Sequence, residues 1–233
     1  MKKILLGLLL AGSVFKVDAQ SERPGMLFNN DWEFVKDIDT TTAKDILTSR
    51  KATAINWEKV SLPHTPQIEP VIKTKEQWQG TCYYRKYFTL TKADRWHSIS
   101  IRFEGAMNDA DVYVNGKHVA KHIGGYLPFD VYVSKVAKVG ENCILMKLVN
   151  VDNPHIPPGK PIKDLDFNFY GGIYRNAWFI EKSGIDITDA VTVNHEACGG
   201  VMVHYEGVTQ SSAKIVVRTE VTTEQLPASP HIK

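Results

Sequence analysis

A chain of 233 residues has room for one large domain, or one domain and part of a second, and none for a catalytic barrel with accessory domains. Hydrophobic residues make up 43% and charged residues 23%, the balance of a folded globular chain rather than a disordered one. With 28 basic residues against 26 acidic ones, the strong positive excess of a nucleic-acid binder is also excluded.

In chain order, Lys2 and Lys3 precede an apolar run, Ile4 to Phe15, that ends near Val17-Asp18-Ala19. This pattern predicts a signal peptide over residues 1–19, cleaved after Ala19. The apolar run is about twelve residues, short of the roughly twenty that span a bilayer. The expected mature protein is therefore periplasmic or secreted, with no membrane anchor. No cysteine follows the small-residue site, so lipoprotein attachment is not expected. Loss of Lys2, Lys3, Lys16 and Asp18 also removes the formal net charge of +2. Export would place Cys82, Cys143 and Cys198 in an oxidising compartment, where three thiols allow at most one disulfide. Cys82 and Cys143 lie in runs patterned as core strands, which predicts buried thiols. No CxxC pair or His–Cys cluster marks a zinc site, and no cofactor is expected.

Residues 26–34 pattern as a first strand, and residues 35–56 as a polar stretch with weak helical character over Thr42–Arg50. The strand signals then become dense. Tyr83–Leu90, His97–Phe103, Ala110–Asn115, Lys117–Ile123, Phe129–Val133, Cys143–Val151 and Ile173–Glu181 are short and rich in β-branched or aromatic residues. Asn115-Gly116 is a two-residue hairpin signal, since both residues tolerate the positive φ of a type I′ turn. In His97–Phe103, Ile99, Ile101 and Phe103 share one face and Ser98, Ser100 and Arg102 the other. One face should pack, and the other should meet solvent or a second module. About seven or eight such strands with no helices between them predict an all-β jelly-roll sandwich.

The connection from Asp152 to Gly172 is about twenty residues long, and structureless connections of that length are usually functional or disordered. Its aromatic content argues against disorder, and Pro154, Pro157, Pro158 and Pro161 stiffen its first half. This loop is the expected site. After Ser183-Gly184 the strand pattern restarts at Ile185–Val193, Val201–Tyr205 and Lys214–Val221. A complete sandwich needs about seven strands and roughly a hundred residues. The expected organisation is a jelly roll over residues 20–183 and an incomplete second β-domain over 184–233. Its unpaired edge would need another surface, and a homo-oligomer is one way to supply it.

Five segments stand in one order: Val60-Ser-Leu-Pro-His-Thr65, Gly80-Thr-Cys-Tyr-Tyr-Arg-Lys86, Arg102-Phe-Glu-Gly105 leading to Val112-Tyr-Val-Asn-Gly116, Gly124-Gly-Tyr-Leu-Pro-Phe129, and Asp166-Phe-Asn-Phe-Tyr-Gly-Gly-Ile-Tyr-Arg175. Over residues 26–182 they resemble the N-terminal sugar-binding domain of glycoside hydrolase family 2, the family of β-galactosidases, β-glucuronidases and β-mannosidases. Residues 185–221 resemble the start of the immunoglobulin-like domain that follows there. The resemblance implies that the catalytic carboxylates lie on a third, barrel domain absent from this chain. A retaining pair stands about 5 to 5.5 Å apart, one residue acting as acid/base and one as nucleophile. No pair among Glu104, Glu141, Glu181, Glu196, Glu206 and Glu220 is expected to be catalytic.

What the resemblance implies for this chain is substrate contact. Asp166, nine positions before Arg175, matches an aspartate that reaches across to the sugar, and a carboxylate accepts two hydrogen bonds from neighbouring hydroxyls. In β-galactosidases the matching position also helps to hold a monovalent cation, so a monovalent or divalent cation is expected only in a complete enzyme. Asn168 is a second candidate sugar contact, with turn formation as its alternative role. Phe167 and Tyr170 are expected to anchor the loop rather than to stack on sugar. Arg85, Lys86 and Arg175 are expected to hold strands and loop together, and His64, His118 and His155 to be ordinary surface or loop histidines. The implied partner is a carbohydrate of the β-galactoside type, and the alternative is a free-standing carbohydrate-binding module with no hydrolase activity.

Overall fold

The structure is a computed structural model that describes residues 25–39, 41, 43, 46–47, 55–67, 77–94, 97–182, 185–189, 193 and 199–223. The signal segment 1–19, Cys198 and the tail after Thr223 lie outside the described residues.

Period-two alternation builds two antiparallel sheets from the front of the chain. The larger has six strands in the order β3 (Glu58–Val60), β2 (Trp32–Lys36), β4 (Gly80–Leu90), β9 (Gly140–Asn150), β6 (Asp109–Val114) and β7 (Lys117–Ile123). The smaller has four, in the order β1 (Met26–Leu27), β10 (Ala177–Lys182), β5 (Ser98–Phe103) and β8 (Phe129–Tyr132). Between them lies one apolar core containing Trp32, Tyr84, Ile101, Phe103, Val112 and Met146. Fully burying each such side chain contributes about 1.5–3 kcal/mol relative to exposure. The expected jelly-roll sandwich is present.

The Asn115-Gly116 hairpin forms as expected, with φ of 53° and 80° and Val114 opposite Lys117. Other boundaries move. The run 26–34 is broken at Asp31, whose φ of 57° turns the chain so that β1 joins the small sheet and β2 the large one. The short edge strand β3 had no sequence signal, because Glu58-Lys59 is polar. The last strand begins at Ala177 rather than Ile173. Ala43, Ile46 and Leu47 are helical and pack with Tyr83 and Leu145 on the outer face of the large sheet.

Cys82 and Cys143 are both buried. Cys82 pairs with Leu148 and Cys143 with Tyr87, five steps apart along the β4–β9 ladder. At about 3.3 Å per residue this separation is far beyond disulfide reach, which is below about 7 Å between Cα atoms.

The outer face of β5 is not left to solvent. Ser98 and Ser100 are buried, and Arg102 forms a two-point bond to Asp130 at 2.7 and 2.8 Å and reaches Asp189 at 2.9 Å. Beyond residue 184 the described residues form two ribbons, β11 (Ile185–Ile187) with β14 (Val221–Thr223) and β12 (Val201–Glu206) with β13 (Lys214–Thr219). The expected strand Ile185–Val193 is thus only three residues long. On one face of the β12–β13 ribbon, Val201, Val203, Tyr205, Ile215 and Val217 are all exposed.

Candidate functional site

Parts of the quoted segments, around His64, Tyr84, Glu104-Gly105, Gly125 and Gly172-Tyr174, meet at one end of the sandwich, while Asn115-Gly116 turns at the other, and glycine geometry explains the close approach. Gly172 has φ of +79°, and a Cβ there would stand 2.6 Å from both the His64 carbonyl oxygen and the Tyr84 hydroxyl. Only glycine lets the chain pass this close. The passage is stitched on both sides: the His64 N–H donates to the Ile173 carbonyl at 2.8 Å, and the Met107 N–H to the Gly172 carbonyl at 2.9 Å. Next along the chain, the Tyr174 hydroxyl donates to the Gly125 carbonyl at 2.6 Å. Glu104 accepts from Asn176 at 3.1 Å and from the Trp178 indole at 2.7 Å. Its carboxylate is engaged in holding β5 to the start of β10.

The 152–172 loop rests on this frame. Ile162 and Phe169 pack with Met107, Leu165 and Tyr174, and Phe169 is only 1% exposed. The Asp152 side chain accepts from the Ile162 N–H at 2.6 Å, closing a ten-residue span that leads into a 3-10 turn, Ile162–Asp164. Gln77 clamps the last part at two points: its amide donates to the Phe167 carbonyl at 3.1 Å, and its side-chain oxygen accepts from the Phe169 N–H. Asn150, fully buried, donates to the Phe169 carbonyl at 3.2 Å. A loop with so many anchored backbone groups loses little entropy when a ligand binds.

On this support Asp166, Phe167 and Asn168 are exposed. Asp166 makes no hydrogen bond or ion pair among the described residues. Asn168 donates to the Tyr170 hydroxyl at 2.6 Å. The expected anchoring role of Phe167 is corrected: at 46% exposed it is part of the rim, and the next aromatic, Phe169, is the anchor. Regular period-two alternation would put the rings of Phe167 and Phe169 on the same side, so their different exposure reflects the irregular, clamped backbone of this segment. Tyr126, also exposed, meets Phe169 edge-on at 6.3 Å and borders the same loop.

The basic residues follow expectation with one difference. Arg85 pairs with Glu33 at 2.5 Å and stacks on Trp57 at 4.0 Å, while Lys86 donates to the Asn30 carbonyl and lies 4.5 Å over Phe28. Arg175 is exposed and lies 5.6 Å from the Tyr174 ring centre, a cation–π contact in place of an ion pair. His118 pairs with Asp111 at 2.9 Å on the surface, and the His155 N–H bonds the side chain of Asn153 at 2.9 Å. His64 is no surface histidine. Its Nδ1 is 2.8 Å from the Tyr84 hydroxyl and its ring packs on Phe34 at 4.7 Å. Gln77, Asn150 and Phe169 were missed from sequence, because a clamp residue has no motif of its own. The polar residue ending the apolar run Ile144–Asn150 was the one available signal.

Desolvation by burial lowers the pKa of His64, and likewise that of His122. The unfolded chain then binds more protons than the folded one just below the ordinary value of 6.5, so stability falls as the pH drops through that value. Urea midpoints are expected to fall between pH 7.5 and 5.5, and His64→Gln is expected to flatten that slope. Equal slopes in the two proteins would contradict this assignment.

A cation at Asp166 would need further ligands from elsewhere, since the group of potential ligands among the described residues, Asp94, His97 and Glu181, does not include it.

Two packed antiparallel sheets with an exposed, anchored polar loop at one end define a β-sandwich domain. The profile of the glycosyl hydrolases family 2 sugar binding domain matches residues 36–183. The chain belongs to that family. It is 33% identical over 222 residues to a β-glucuronidase of Formosa agariphila, covering 90% of this chain and 22% of that protein. It is 35% identical over 170 residues to a β-galactosidase of Thermoanaerobacter pseudethanolicus, covering 71% of this chain and 22% of that one. Among solved structures, a β-glucuronidase from glycoside hydrolase family 2 superposes with a TM-score of 0.68 at 32% identity, over 88% of this chain and 22% of that one. The chain thus spans about a fifth of the length of these relatives.

Proposed function

We propose that this chain is the non-catalytic front portion of an exported family 2 glycosidase, and that Asp166 and Asn168 reach sugar hydroxyls in an active site completed by a barrel domain. The supporting observation is the Asp166 carboxylate, exposed and unpaired among the described residues on a loop otherwise anchored at almost every turn. An acceptor held in place without an internal partner suits a ligand from outside the domain, and charged acceptors bond hydroxyls more strongly than neutral ones. In the same reading, the exposed apolar face of β12–β13 is the inner face of an immunoglobulin-like domain completed by further strands, and residues 1–19 direct export. The substrate is a β-galactoside, with a β-glucuronide as the competing glycan because relatives of both names match the chain.

The test is hydrolysis of chromogenic β-galactoside, β-glucuronide and β-mannoside by the purified chain, with calorimetric titration of galactose alongside. No turnover and weak binding are expected, and turnover would place a catalytic pair within the chain and overturn the reading. Tight sugar binding without turnover would favour the free-standing module. In an enzyme that carries the barrel, Asp166→Ala is expected to lower kcat/KM about ten- to a hundredfold with an unchanged melting temperature. That corresponds to loss of a charged hydrogen bond of about 1.5–3 kcal/mol. Unchanged kinetics would remove Asp166 from the site.

A further inference from the structure

At the other end of the sandwich, a buried carboxylate and a histidine meet where no sequence motif marks a site. Glu181 sits on β10 opposite Ile99 and on the same strand face as Ala177 and Phe179, two residues of the packed interior. It is 8% exposed, and its ion pair is with His97 Nδ1. That nitrogen is itself buried and has no hydrogen bond of acceptable angle among the described residues: it is close to Glu181 Oε1, but its N–H does not point there. Asp94, three residues before His97 on the β4–β5 turn, completes the group. One of its oxygens accepts from the Thr91 N–H at 2.5 Å. The three side chains offer ligand atoms within 4.8 Å of one another. Ligands at about 2.1 Å from a single metal are themselves about 3.4–4.2 Å apart, so small side-chain rotations bring the set into range. A cleft of about 360 Å³, lined by Leu90, Asp94, His97, Ser134 and Lys138 among others, opens beside the group and admits ion and water.

We propose that Asp94, His97 and Glu181 bind a divalent transition-metal ion of the zinc or manganese class. One imidazole nitrogen with two carboxylate oxygens is a borderline donor set, softer than calcium or magnesium prefer and harder than a thiolate site. The metal would supply a lone-pair acceptor for the buried His97 Nδ1, which has no hydrogen-bond partner among the described residues. Three protein ligands leave one or more positions for water. The place in the fold points to a structural role. The strands β4, β5 and β10 run from the loop cluster at one end to this group at the other, about 20 Å along six residues of β5. Glu181 is the last inward residue before the chain leaves β10 for β11, so the ion ties the β4–β5 turn to that exit. The proposal is independent of sugar binding.

The test is a calorimetric titration of the EDTA-treated chain with Zn²⁺, Mn²⁺, Ca²⁺ and Mg²⁺, with thermal unfolding followed in parallel. One equivalent of Zn²⁺ or Mn²⁺ is expected to bind and to raise the melting temperature, with Ca²⁺ and Mg²⁺ weaker. Since buried Glu181 is a risky position to alter, His97→Gln and Asp94→Asn are the working variants. Each is expected to weaken binding by more than the tenfold or so that changes outside the ligand shell cost, while the metal-free chain still folds. Absence of Zn²⁺ and Mn²⁺ binding, or binding unchanged in both variants, would leave an ordinary ion pair and overturn the proposal.

Discussion

Gly172→Ala is expected to destabilise the sandwich by roughly 2–5 kcal/mol. Two costs combine: about 1–2 kcal/mol for placing a side chain in the left-handed region, and about 1–3 kcal/mol for overpacking. The crowding is unusually rigid, because the atoms 2.6 Å from the new Cβ are a backbone carbonyl and a tyrosine hydroxyl at the end of a fully buried ring. Neither can retreat without breaking the His64–Ile173 hydrogen bond or moving Tyr84 into the core. Gly140→Ala is the matched control. It shares the positive φ, at +95°, but nothing lies within 4 Å of its Cβ, so only the conformational cost remains. Urea unfolding of the two variants separates the terms: a loss at Gly172 no larger than at Gly140 would mean that the close passage is not tight.

Phe169→Ala is expected to cost about 3–5 kcal/mol, the range for deleting a buried aromatic ring. Phe169 packs in the small cluster with Met107 and Ile162, its N–H donates to Gln77 and its carbonyl accepts from Asn150. Removing the ring should therefore also release the segment that carries Asp166 and Asn168. The expected readouts are a lowered unfolding midpoint and, in a barrel-bearing enzyme, a loss of activity at least as large as that of Asp166→Ala. The two substitutions differ in kind, since one leaves stability untouched while the other lowers stability and activity together. A Phe169→Ala protein with normal stability would show that the loop is held by its hydrogen bonds alone.

The legibility of the fold followed from how local each signal was. The Asn115-Gly116 turn and the alternation of Ile99, Ile101 and Phe103 depend on residues adjacent in sequence, and both stand in the structure as expected. The split of residues 26–34 into strands of different sheets was not legible, because the positive φ of Asp31 is tolerated by aspartate but not marked by any turn motif. In the loop, Asp166 and Asn168 are exposed. Phe167 is the expected anchor of the loop and Phe169 is the anchor instead, because the long-range clamp by Gln77 and Asn150, and not local alternation, sets the backbone there. His64 illustrates the same limit: Leu-Pro-His-Thr reads as a turn, yet its ring is closed in by Phe34 and Tyr84.

By itself, then, the sequence determined the all-β class, most of the strands, the family and the loop that carries the polar rim, because turn chemistry, periodicity and motif order are written in neighbouring residues. Only the tertiary structure decided which side chains hold that loop and which meet at the far end of the sheets. Gln77 stands 92 residues from Phe169, and Glu181 is brought to His97 by the pairing of β10 with β5. Such pairings arise from strand register, and register is fixed by burial of a whole face at once, a quantity that no short stretch of sequence contains.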